Sequence, residues 1–166
     1  MKKFRTMIAL MLALVMALAF AACSGKDAAK DYDVKSVARS IIEGCTFEDQ
    51  YMEEIPNPEF TLEGIYNVDP ALIAEKDGAK EAAVYVASSG PEAVICIKAV
   101  DVDAANTIMD HIQNRILEDA EAYKSYGPEK VPYLQTAVKL VKGVYVFVAV
   151  TADNTAASSV INGLLK

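Results

Sequence analysis

His111, Arg115 and Asp119 follow one another at intervals of four, a spacing that sets three polar side chains in one row on a helix. An imidazole, a guanidinium and a carboxylate in a row are materials for general acid–base chemistry. The row runs along the edge of an apolar face, with Asp119 inside the apolar arc and His111 outside it, where a solvated histidine is expected. Arg115 and Asp119 are placed to line a polar pocket under a covering segment, or to form a flanking ion pair of about 0.3–0.5 kcal/mol. Tyr123, Tyr126 and Tyr133 gather at the end of the same helix, where such rings stack on a sugar or peptide or pack a loop onto the core. No Gly-x-Ser-x-Gly elbow, Gly-rich phosphate loop, His-Glu-x-x-His or Cys-x-x-Cys stands anywhere in the chain, so no catalytic residue is assigned. A hydrolase or transferase built on the His111–Arg115–Asp119 row would need a nucleophile that the sequence does not mark.

Cysteine chemistry is more sharply written. Lys2, Lys3 and Arg5 precede an apolar run from Met7 to Phe20, and Ala21-Ala22 lead to Cys23. This order resembles a bacterial lipoprotein signal, with Phe20 where the lipobox usually has Leu. It makes residues 1–22 a signal peptide and Cys23 the lipidated first residue of the mature chain, with an ordinary secretory signal cleaved nearby as the rival reading. The apolar run is shorter than the roughly 20 residues a membrane-spanning helix needs. Cys45 and Cys96 then remain, either free and buried or joined in one disulfide; their spacing fits no zinc pattern. Asp31-Tyr-Asp33 and Asp101-Val-Asp103 look like the beginnings of calcium loops but lack the glycine and glutamate that complete one. They read as helix caps, and neither a metal nor a cofactor is expected.

Charge excludes more than it includes. Removing the signal takes away three of the 16 basic residues and none of the 23 acidic ones, moving the formal net charge from −7 to −10. That sign argues against nucleic acid and against adhesion to anionic lipid through basic patches. The anchor that the signal-like pattern implies is lipid on Cys23. Residues 23–32 form a short polar tether, at most about 30 Å long when extended, and residues 33–166 form one globular domain of ordinary size.

The elements that must carry these side chains give an α+β pattern. Val34, Val37, Ala38, Ile41 and Ile42 mark an N-terminal amphipathic helix capped by Asp33 and stopped by Gly44. Residues 46–80, rich in acidic residues and proline, predict turns and short elements. Ala82–Ala87 and Ala93–Ala99 form a hairpin about Ser88-Ser89-Gly90-Pro91-Glu92. A long helix from about Ala104 to Lys124 follows, begun by Asp101 or Asp103. A second hairpin, residues 137–141 and 145–150, turns at Lys142-Gly143-Val144, and a closing helix spans about Thr155–Leu165. The expected architecture is an antiparallel sheet from two β-hairpins, each followed by a helix (ββα-ββα), with the helices packed on one face.

Tyr66-Asn67-Val68-Asp69, Glu81-Ala82-Ala83-Val84-Tyr85, Arg115 and Tyr126-Gly127-Pro128-Glu129 together resemble a family of clostridial-type lipoproteins known as a domain of unknown function, over roughly residues 34–165. The resemblance implies a Gram-positive anaerobe and an envelope lipoprotein, with a place in envelope-polymer modification or assembly by analogy. The expectation is a non-catalytic accessory or binding module on the extracytoplasmic face of the cell membrane. Its expected partners are the bilayer, through diacylglyceryl-Cys23, and a membrane-proximal envelope protein or glycan.

Overall fold

The computed structural model describes residues 30–49 and 51–166. The expected signal peptide, Cys23 and most of the tether lie outside the described residues. Among those described, no helix is long and apolar enough to cross a membrane. The unit that carries the fold begins at Tyr32 and runs to Lys166.

Helix α1 (Val34–Gly44) starts where Asp33 accepts hydrogen bonds from the amides of Lys35 and Ser36 at 3.0 and 3.4 Å and from the Ser36 hydroxyl at 2.9 Å. Those donors fill the carboxylate's lone pairs and lower its pKa. Strand β1 (Met52–Glu54) and helix α2 (Pro58–Tyr66) follow, the latter opened by a proline at its first position and closed by Asn67 in the left-handed region. A 3₁₀ turn (Pro70–Leu72) leads to a two-stranded ribbon, β2 (Glu75–Lys76) and β3 (Ala79–Lys80). Its Asp77-Gly78 turn has φ of 54° and 78°, which asparagine, aspartate and glycine tolerate best.

The centre is then laid down: β4 (Ala82–Ala87), β5 (Ala93–Lys98), the 25-residue helix α3 (Val102–Tyr126) and a 3₁₀ turn (Pro128–Lys130). Helix α4 (Val131–Gln135), β6 (Val138–Lys142), β7 (Tyr145–Val150) and helix α5 (Asn154–Leu164) complete it. Asp101 caps α3 through the Ala104 amide at 2.7 Å, and Asp153 caps α5 through that of Ala156 at 2.9 Å. Five strands form one antiparallel sheet in the order β1-β4-β5-β7-β6. The fold is α+β, with both hairpins in the sheet.

The plan holds more elements than two hairpins and the helices after them. Residues 46–80 contribute β1, α2 and the β2–β3 ribbon, and α4 stands between α3 and the second hairpin. The larger correction concerns the faces. Val84, Ile95, Ile97, Val146 and Val148 pack with Ile108, Ile112 and Ile116 of α3 and with Leu62 of α2. Their neighbours along the same strands, Tyr85, Val94, Cys96, Phe147 and Ala149, pack with Val37 and Ile41 of α1 and Ile161 of α5. Helices cover both faces, not one. The physical reason is in the strands: Ala-Val-Ile-Cys-Ile and Tyr-Val-Phe-Val-Ala-Val have no polar face to give to water.

The chain enters this unit at one end of the sheet. The Tyr32 ring meets Tyr145 edge-on at 5.2 Å, and its hydroxyl donates to the Leu165 carbonyl at 3.1 Å. Tyr145 opens β7 just after a two-residue loop whose Gly143 has φ 59°, a geometry suited to glycine in a hairpin turn. Tyr32, assigned by the sequence to the tether, is thus part of the core.

Phe147 is wholly buried on the α1/α5 side. Replacing it by alanine is expected to cost about 3–5 kcal/mol in urea unfolding, against less than about 0.5 kcal/mol for Leu117→Ala, whose side chain is 57% exposed. Equal effects would refute the two-sided core.

Candidate functional site

Helix α3 divides the sequence-selected row. Arg115 grips Asp119 with two hydrogen bonds, Nε to Oδ2 at 3.0 Å and Nη2 to Oδ1 at 2.9 Å. That contact raises the guanidinium pKa further. The covering segment is α2, whose Tyr66 packs against the same core. Burial, with Asp119 adding to it and Arg115 opposing, pushes the Tyr66 phenol up to about 12. His111 is half-buried one turn earlier and takes no part in the pair. The arrangement is a half-exposed ion pair at the α2–α3 junction, closed on itself.

The tyrosines also separate. Tyr123 and Tyr126 meet with ring centroids 4.6 Å apart. Tyr133, carried past Gly127-Pro128 onto α4, points its hydroxyl to Glu48 Oε2 at 3.1 Å and lies 5.5 Å under the Lys130 ammonium. Cys45 and Cys96 are both free thiols on the α1/α5 side of the sheet. Burial raises the pKa of each, with Asp153 adding to it at Cys45, so both stay protonated and weakly nucleophilic. Among the described residues no group of three or more His, Cys, Asp or Glu side chains is placed to hold a metal.

The organised polar site lies elsewhere, where β5 begins and β7 ends, and its centre is a residue that sequence reasoning treated as the last of a turn. Glu92 is only 3% exposed. Its carboxylate accepts the Glu48 amide at 3.0 and 2.9 Å, the Asp49 amide at 3.0 Å and the Ala152 amide at 3.1 Å. One side chain thereby ties the segment after α1 and the segment after β7 to the β4–β5 turn. The signal available in the sequence was position: a carboxylate directly ahead of a wholly apolar strand cannot stay buried without donors.

Around Glu92 the surface side chains are held in turn. Asp49 accepts the amides of Tyr51 and Ser89 at 3.1 and 2.8 Å and the hydroxyls of Ser88 and Ser89 at 2.9 and 3.2 Å. These donors, the Tyr51 amide first, pull its pKa down to about 2. Glu48 pairs with Lys130 and accepts from Tyr133, which lowers its pKa and raises those of both partners. Below them Asn154 donates to the Tyr133 carbonyl at 2.8 Å and to Thr136 Oγ1 at 2.9 Å while accepting the Thr151 amide at 3.0 Å. Glu48, Asp49, Tyr51, Ser89 and Lys130 line an open cleft of about 400 Å³, and the Tyr51 side chain stands at its rim, 76% exposed.

A protein-family model described as a domain of unknown function, DUF4358, matches residues 68–151. The chain belongs to the DUF4358 family. No curated protein and no solved structure matches it. The DUF4358 match is narrower than the span of the resemblance noted from the sequence: it includes Val68-Asp69, the first hairpin, Arg115 and Tyr126–Glu129, and stops short of Tyr66-Asn67. In the cleft it supplies Ser89, Glu92, Lys130 and Tyr133, whereas Glu48, Asp49 and Tyr51 come from outside the DUF4358 portion.

Glu92→Ala strands three amides and is expected to destabilise the domain by on the order of 3 kcal/mol, with hydrogen-exchange protection lost first at the Glu48, Asp49 and Ala152 amides. Unchanged protection there would contradict the tie. Asp49 is depressed from 3.8 to about 2, so its contribution to the cleft is fully present above its ordinary value and is lost as pH falls through about 2. A carboxyl-carbon NMR titration should show that midpoint, and a midpoint near 3.8 would mean that the loop contacts are not held in solution.

Proposed function

We propose that the chain is a membrane-anchored extracytoplasmic lipoprotein of a clostridial-type Gram-positive bacterium. In this reading, its domain is a non-catalytic binding module that offers the Glu48–Tyr51–Ser89–Lys130 cleft to a membrane-proximal envelope protein or glycan, in the service of envelope-polymer modification or assembly. The observation that carries the reading is the separation of two ends. Tyr32, where the chain enters the domain, docks beside Tyr145 at the start of β7, and the cleft is built past Val150 at its end. The six residues of β7 between them span about 20 Å at ~3.3 Å each. An anchor on Cys23 would enter at one end of the sheet and leave the cleft at the other.

The anchor itself is argued from Lys2, Lys3, Arg5, the Met7–Phe20 run and Cys23. Two acyl chains on one cysteine hold a domain at the bilayer where one short chain does not. From Cys23 to Tyr32 the tether allows at most about 30 Å, so the partner must come close to the membrane. The surrounding acidic surface favours that geometry, because a net charge of −10 repels the domain from anionic headgroups and stands it off on its tether.

The test uses the full-length chain in cells fed labelled palmitate, with a photo-cross-linking residue at Ser89 or at Val144. The expected result is a labelled protein in the membrane fraction, released and unlabelled in Cys23→Ala, that captures envelope material from position 89 and not from position 144. A soluble, unlabelled wild-type chain would sink the anchor. Equal capture from both positions would sink the assignment of the binding face.

A further inference from the structure

We propose that the cleft is a glycan site, taking a neutral sugar chain with Tyr51 as its stacking platform. This rests on reading the cleft as the binding face and adds the ligand's chemical class. Its volume of about 400 Å³ falls in the ~300–1,000 Å³ of small-ligand sites.

Three features select the class. The first is the exposed ring: Tyr51 begins the approach to β1, its amide is fixed by Asp49 at 3.1 Å, and its side chain is left to solvent beside a concave surface. A rigid amphipathic ring in a partly wet position suits the C–H face of a pyranose. The second is the mixture of groups. The Glu48 carboxylate, whose Oε1 carries none of the bonds to Lys130 and Tyr133, and the Ser89 hydroxyl oxygen offer acceptors beside the Lys130 ammonium donor within one cleft, which matches a polyol, since each sugar hydroxyl both donates and accepts. These side chains are already paired with one another and the Glu48 and Asp49 amides are held by Glu92, so little ordering remains to oppose binding. The third is charge. Among the described residues of the cleft Glu48, Asp49 and the buried Glu92 stand against Lys130, so a phosphate polymer, a uronate or a nucleic acid meets net repulsion. Tyr51 is, among the described residues, the one large apolar side chain lining the cleft, which disfavours an apolar peptide segment.

The competing class of the same sign is a cationic ligand, which the acidic groups and the ring face would also attract. Calorimetry on the detergent-solubilised full-length chain separates them, using neutral tetrasaccharides of glucose, galactose and N-acetylglucosamine, a tetragalacturonate and tetralysine. The expected outcome is binding of at least one neutral tetrasaccharide, none of tetragalacturonate, a loss of at least tenfold in Tyr51→Ala, and retention in Tyr51→Phe. The Tyr51 ring packs too little for its removal to unfold the domain, and an unchanged melting temperature verifies that. No binding of any neutral tetrasaccharide, binding indifferent to Tyr51→Ala, or tighter binding of tetralysine would each overturn the proposal. If Ser89 cross-links to an envelope protein while every tetrasaccharide fails, the glycan assignment falls and the binding-face reading stands.

Discussion

Three central strands without a polar face impose the constraint from which the architecture follows. In β4, β5 and β7 nearly every side chain is apolar and buried, and a strand turns successive residues to opposite sides. Water can therefore be kept out only by two separate covers. The long helix α3, with α2 and α4, supplies one, and α1 with α5 supplies the other. Each cover has its own apolar stripe, and α1 and α5 meet on the same face although they are the most distant in sequence of the described helices.

A sheet covered on both sides has only its edges and ends left for other work. The two ends of β5 and β7 are used differently. At the Lys98–Tyr145 end, aromatic packing of Tyr32 against Tyr145 and Phe147 locks the incoming chain. At the Ala93–Val150 end, the apolar strands give way abruptly to loops whose amides need acceptors, and the Glu92 carboxylate supplies them for three residues from two distant segments. Burying a carboxylate is unfavourable unless donors surround it. Once they do, the same atoms fix the loops that frame the cleft, and Asp49 and Glu48 extend the order outward to solvent-facing groups.

The sequence was informative about local elements and much less so about the site. The cap at Asp33, the start of the long helix at Asp101 or Asp103, the two hairpin turns and the long helix itself were legible because each depends on residues a few positions apart. The segment from 46 to 80 was harder: α2 carries a weak apolar stripe with Phe60 and Ile65 exposed, and the ribbon β2–β3 is two residues a side. Arg115 and Asp119 were found as a pair because i and i+4 adjoin on a helix, and their neighbour Tyr66 was not, since it arrives from 49 positions earlier in the chain.

By itself the sequence determined the mixed α and β composition, the antiparallel hairpins, the acidic balance and the absence of familiar catalytic motifs, all properties of short-range pattern or of simple count. Tertiary structure alone decided that helices cover both faces and that Glu48, Asp49, Tyr51, Ser89 and Lys130 meet around Glu92. Those facts rest on contacts between residues 40 or more positions apart, and such contacts are selected by the joint burial of many side chains and the pairing of amides with acceptors, which no local window of residues contains.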